Sequence, residues 1–69
     1  MINLIIYGAP EGYRLHTAET VKHGKSLATR IARRFGVSTE NLIIGVFCRR
    51  TAKRDTYRRT GGHWTRMTS

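Results

Sequence analysis

One cysteine, one proline and four carboxylates are all that this chain has of those residues, and each scarcity excludes something. A lone thiol, Cys48, cannot close an internal disulfide, so the staple that holds many small secreted domains is missing and a reducing compartment, the cytoplasm, is expected. The first residues, Ile2 to Tyr7, are largely apolar, but no cationic segment precedes them and no small-residue cleavage site follows, so they do not read as a signal peptide. The longest apolar stretch, Leu42 to Cys48 with one glycine inside it, falls far short of the roughly 20 residues that span a bilayer. No membrane partner is expected. At 69 residues and 39% apolar content, the chain builds one small domain, 1–69, whose core one helix on one sheet nearly exhausts.

What the chain has in excess is positive charge. Thirteen Lys and Arg against four Asp and Glu give a net charge of +9. Seven of the thirteen fall in the last 21 residues, where Asp55 is the only carboxylate, so that segment alone carries +6. Aromatic residues interleave with the guanidinium groups from Arg54 through Tyr57, Arg58, Arg59 and Trp64 to Arg66. A polyanion is the partner that such a surface attracts and holds most readily.

The periodicities predict an α+β fold, an antiparallel sheet of three to four strands packed against a single amphipathic helix. Ile2–Tyr7 is β-branched and aromatic and stops at the turn signal Gly8-Ala9-Pro10-Glu11-Gly12. Tyr13–His16 alternates weakly as a short second strand, with Thr17 as the expected helix cap. Between Thr20 and Phe35, Val21, Leu27, Ala28, Ile31, Ala32 and Phe35 share one arc, with Gly24 inside it, and Lys22, Lys25, Arg30, Arg33 and Arg34 lie opposite. Gly36 ends the helix. Leu42–Arg50 reads as the central strand, Leu42, Ile44, Val46 and Cys48 on one side and Ile43, Gly45, Phe47 and Arg49 on the other. Residues 51–55 are the expected turn after it.

Gly61-Gly62 suits a two-residue hairpin loop, because both positions tolerate φ > 0. That loop sets Thr60 opposite His63, Arg59 opposite Trp64 and Tyr57 opposite Arg66, gathering Tyr57, Arg59, Trp64 and Arg66 on one face. A competing arrangement pairs residues 56–60 with 42–50 and lets the glycines bulge. Arginine binds phosphate in a bidentate manner and aromatic rings stack bases, so the four-residue lattice fits a nucleic-acid surface. The plainer alternative is that the arginines stack on cross-strand rings and only hold the hairpin together.

The expected function is therefore non-catalytic nucleic-acid binding by a small regulator, of a kind carried by phages and mobile elements. Arg49, Arg50, Lys53, Arg54, Arg58, Arg59 and Arg66 would contact phosphates, Tyr57 and Trp64 would stack, and the helix cations Arg30, Arg33 and Arg34 would add a second contact. Cys48 has no histidine at a telling spacing and reads as an inert core thiol. Glu11, Glu19, Glu40 and Asp55 form no acid–base pair. His16, His23 and His63 are scattered without a metal motif, and the Gly8–Gly12 turn lacks the GK[ST] of a phosphate loop. No catalytic residue, metal or cofactor is expected. The open edges of so short a sheet make pairing into a homodimer physically reasonable.

Two other readings come from pattern. Ala32, Gly36, Val37, Ser38 and Leu42 occupy positions that suit a helix-turn-helix repressor, with Ser38 capping a recognition helix through Ile43 and Val46. Against it, Ile43 to Phe47 are poor helix formers. Finally, the aliphatic opening Ile2–Tyr7, the helical segment Ser26–Ala32 and Gly61-Gly62-His63-Trp64 near the end resemble the plan of very small phage proteins, including anti-CRISPR proteins and inhibitors of host RNA polymerase. That resemblance implies a compact inhibitor seated on a nucleic-acid-handling protein complex or on the nucleic acid that it holds. Many of those proteins are acidic mimics of nucleic acid, and this chain departs from them in being basic.

Overall fold

The computed structural model describes residues 1–9 and 12–67, with the backbone alone for residues 8–9 and 12–15. The elements run β1 (Ile2–Ala9), β2 (Gly12–Ala18), α1 (Val21–Arg34), β3 (Leu42–Cys48), β4 (Lys53–Thr60) and β5 (His63–Met67). All five strands join one antiparallel sheet in the order β2-β1-β3-β4-β5. The α+β fold is as the periodicities predict, with five strands in place of three to four. The turn expected at Gly8–Gly12 includes Pro10 and Glu11, which lie outside the described residues.

Alternation along the strands decides where the core sits. Ile2, Leu4 and Ile6 of β1 and Leu42, Ile44 and Val46 of β3 are buried on one face, with Ala18 of β2 beside them. The register places Leu4 opposite Val46 and Ile6 opposite Ile44, so the two central strands meet side chain to side chain. The helix lays Gly24, Ala28 and Ala32 against them, an i, i+4, i+8 row of the smallest residues, and Val21, Leu27 and Ile31 flank the row. Phe35, expected on the same arc, is 39% exposed at the helix end.

Small residues at the contact bring the helix axis close to the sheet. A Cβ at Gly24 would stand 3.4 Å from Ile2 Cδ1 and 3.6 Å from Leu4 Cδ1, which is ordinary contact. The helix packs mainly on β1, β2 and β3. Strands β4 and β5 extend beyond it as a ribbon.

The ends of α1 show how local sequence sets its length. Its cap is Thr20, whose Oγ1 accepts from the His23 N–H at 3.1 Å, and not Thr17. Thr17 is still in β2, paired with Asn3, because the strand continues to bury Ala18. At the other end Gly36 has φ 70, and the Val37 and Gly36 N–H groups donate to the carbonyls of Ala32 (2.8 Å) and Arg33 (3.1 Å), a Schellman closure.

Two further expectations are corrected. The central strand ends at Cys48, not Arg50, and the reversal occupies residues 49–52, so Lys53, Arg54 and Asp55 are strand, not turn. Ala52 makes this tight reversal possible by adopting φ 57. The recognition helix of a helix-turn-helix is also absent, since Leu42–Cys48 is the central strand of the sheet. β-Branched side chains sandwiched between neighbouring strands favour extended backbone there. No helix among the described residues is long and apolar enough to cross a membrane.

Gly24→Ala should stabilise the domain, because the added methyl meets atoms at contact distance while the helix interior loses a glycine, worth about 0.5–1 kcal/mol. Thermal denaturation should show a midpoint raised by about 2–8 °C. Gly24→Leu should lower it by wedging the helix off the sheet; a rise with leucine would mean that the contact is looser than described.

Candidate nucleic-acid interface

The hairpin forms as its glycines predict. Gly61 and Gly62 have φ 60 and 82, Thr60 pairs with His63, Arg59 with Trp64 and Tyr57 with Arg66. Strand β4 also pairs along its length with β3, Leu42 opposite Arg59 and Ile44 opposite Tyr57. The hairpin and the β3–β4 pairing therefore coexist, and the glycines do not bulge. Tyr57, Arg59, Trp64 and Arg66 do share a face.

That face is the one on which the helix lies. Tyr57 and Trp64 are half-buried and pack against the core cluster. Lys25 is also half-buried, and its ammonium stands 4.5 Å from the centroid of the Tyr57 ring, a cation–π contact that ties α1 to β4. Arg59 donates from Nη1 to Thr39 Oγ1 at 3.1 Å, and its carbonyl accepts from the Asn41 N–H at 2.7 Å. The lattice is thus partly spent on structure, with Arg66 its exposed member.

The segment between α1 and β3 fastens the hairpin tip. The Gly61 N–H reaches both oxygens of the Glu40 carboxylate at 3.2 Å, and Asn41 takes φ 62 as the chain enters β3.

The remaining cations fall into three groups. Arg49 and Arg50 are exposed in the β3–β4 turn, followed by exposed Lys53 and Arg54 at the start of β4. Arg54 and Arg58 lie on the sheet face opposite the helix, since their register partners Phe47 and Ile43 alternate with the buried residues of β3. Arg30, Arg33 and Arg34 are exposed on α1, the last two in its final turn, where they complement the negative end of the helix dipole. The helix starts beside the β3–β4 turn and ends beside the hairpin tip, so Arg33 and Arg34 are separated from Arg49 and Arg50 by about the 20 Å length of a 14-residue helix. None of these groups is held in an ion pair with a carboxylate among the described residues.

Beside the predicted Arg54 and Arg58, the face opposite the helix holds residues that the sequence reading passed over. Along β1 it presents Asn3, Ile5 and Tyr7, along β3 Phe47, Gly45 and Ile43, and along β4 Arg54, Thr56 and Arg58. Tyr7 is 45% exposed, and its ring lies against Gly45. The Arg54 guanidinium carbon is 5.2 Å from the Phe47 ring centroid. The signal was available: Ile43, Gly45 and Phe47 form the second face of an alternating strand that no second helix exists to cover.

Cys48, expected as an inert core thiol, is half-buried at the end of β3 and packs against the core cluster. Hydrogen bonds from the Thr51 hydroxyl and amide, and from the Arg50 amide, hold its pKa below the ordinary thiol value, against the opposing effect of burial. They converge because the chain reverses immediately after the cysteine. His16 Nε2 is buried without a hydrogen-bond partner among the described residues. No cluster of three metal-binding side chains occurs among the described residues. No protein-family model, curated protein or solved structure matches the chain.

Thr51→Val should remove the largest cause of the lowered Cys48 pKa. Alkylation by iodoacetamide followed against pH should show its midpoint move upward in the variant. An unchanged midpoint would mean that the threonine hydroxyl does not act on the thiol.

Proposed function

We propose that this protein is a non-catalytic nucleic-acid-binding regulator that grips phosphates with the ribbon of β4 and β5 and the turn leading into it. The observation that carries the reading is the placement of Arg49, Arg50, Lys53, Arg54, Arg58 and Arg66. All six are exposed, Arg49 and Arg50 in the β3–β4 turn and the other four on the two faces of the ribbon. Asp55, the one carboxylate on β4 and β5, is half-buried beside Val46, and Glu40 is engaged by the Gly61 amide at the tip. Free guanidinium groups concentrated on a projecting ribbon favour a partner with closely spaced negative charge, and nucleic acid supplies it at every phosphate. The helix cations Arg30, Arg33 and Arg34 act at longer range, raising the local concentration of a polyanion before contact. The cytoplasm is the compartment that such a partner and an unpaired cysteine imply.

Binding should be measured by fluorescence anisotropy with labelled single- and double-stranded oligonucleotides over about 50 to 200 mM salt. The logarithm of the affinity should fall linearly with the logarithm of salt concentration. Arg58→Ala and Arg66→Ala should each weaken binding and reduce the steepness by about 1. Absent or salt-independent binding would remove the proposal.

A further inference from the structure

We infer that the sheet face opposite α1 is a stacking platform for unpaired bases, so that the preferred partner is single-stranded nucleic acid. This inference rests on the nucleic-acid reading above and specifies which form of the polymer the protein takes.

Rings sit on the two central strands of that face, Tyr7 on β1 and Phe47 on β3, with Gly45 between them on β3. A Cβ at Gly45 would come within 3.3 Å of both Cε2 and the hydroxyl oxygen of Tyr7, so the glycine is what allows the ring to lie down on the sheet. Beside the ring lies a depression of about 280 Å³, lined by Asn3, Ile5, Tyr7, Phe47, Arg54 and Thr56 among others. That is just below the roughly 300–1,000 Å³ of sites for drug-sized ligands, and suits a planar group of nucleobase size. Asn3, Thr56 and the Tyr7 hydroxyl supply polar atoms to the edges of such a group.

The adjoining strand carries the charge. Arg54 stacks its flat cation on Phe47, and Arg58 follows four residues on along β4, about 13 Å away at the usual rise of a strand. Aromatic rings in the middle and guanidinium groups along one flank match a polymer in which flat apolar groups alternate with phosphates. A duplex satisfies the charge but keeps its base faces stacked on one another and unavailable to Tyr7 and Phe47. A second copy of the chain would offer apolar groups to this face, but would also bring Arg54 and Arg58 and a second net charge of +9 against the first.

The test compares a labelled oligothymidine, a duplex of the same length and heparin, which offers charge without bases. The variants are Tyr7→Ser, which removes an exposed ring, and Gly45→Val, which crowds the Tyr7 ring off the sheet with a residue favoured in strands. Circular dichroism melts confirm that each folds. The wild type should prefer oligothymidine to the duplex, and each variant should lose about 5- to 100-fold in affinity for oligothymidine while binding duplex and heparin as before. Equal affinity for both nucleic acids, unaltered by either variant, would overturn the platform and leave the charge-based reading standing. Failure of the wild type to bind either nucleic acid would overturn both. A dimer in light scattering that Gly45→Val dissociates, with oligothymidine affinity unchanged, would assign the face to a second copy and overturn the inference.

Discussion

One 14-residue helix has to cover a five-stranded sheet, and it covers three strands on one side. Everything else about the molecule follows from that shortage. The core lies in the sandwich between α1 and strands β1, β2 and β3, where Leu4, Ile6 and Ile44 are the largest fully buried side chains. The opposite face and the outer ribbon stay uncovered, so what stands on them meets solvent or a partner. Natural selection on such a chain can use those surfaces without disturbing the core, because period-2 alternation sends neighbouring residues to opposite sides.

The arginines and aromatic residues of the C-terminal third are divided by the same alternation. On the helix side, Tyr57 and Trp64 extend the core outward and Arg59 is tied to Thr39. On the bare side, Arg54 and Arg58 border Phe47 and Tyr7 across β3. Residues adjacent in sequence therefore serve different ends: Arg58 is exposed on the bare face, while Arg59 helps to hold the hairpin against the segment that precedes β3.

Most of the fold was legible in the sequence because it rests on local rules. The arc through Val21, Ala28 and Ala32, the left-handed Gly36, the alternation of Leu42, Ile44 and Val46, and the Gly61-Gly62 loop each impose structure over a few residues. The errors fell where long-range packing overrode those rules. Burial of Ala18 carried β2 past Thr17, and an alanine accepted a left-handed conformation at position 52 so that Lys53 could pair with Cys48. The candidate site was only half legible. The shared face of Tyr57, Arg59, Trp64 and Arg66 follows from hairpin register, but which side of the sheet the helix takes does not. Without that, the packing role of Tyr57 and the exposure of Tyr7 were hidden.

The carboxylate of Glu40 has a consequence at the hairpin tip. Turn amides of this kind ordinarily attract anions, and here the Gly61 N–H is already occupied by the protein's own side chain. Glu40 acts as a built-in counterion at the tip. A molecule with so few acids has stationed one of them at the bend, whose amide is thereby closed to other acceptors.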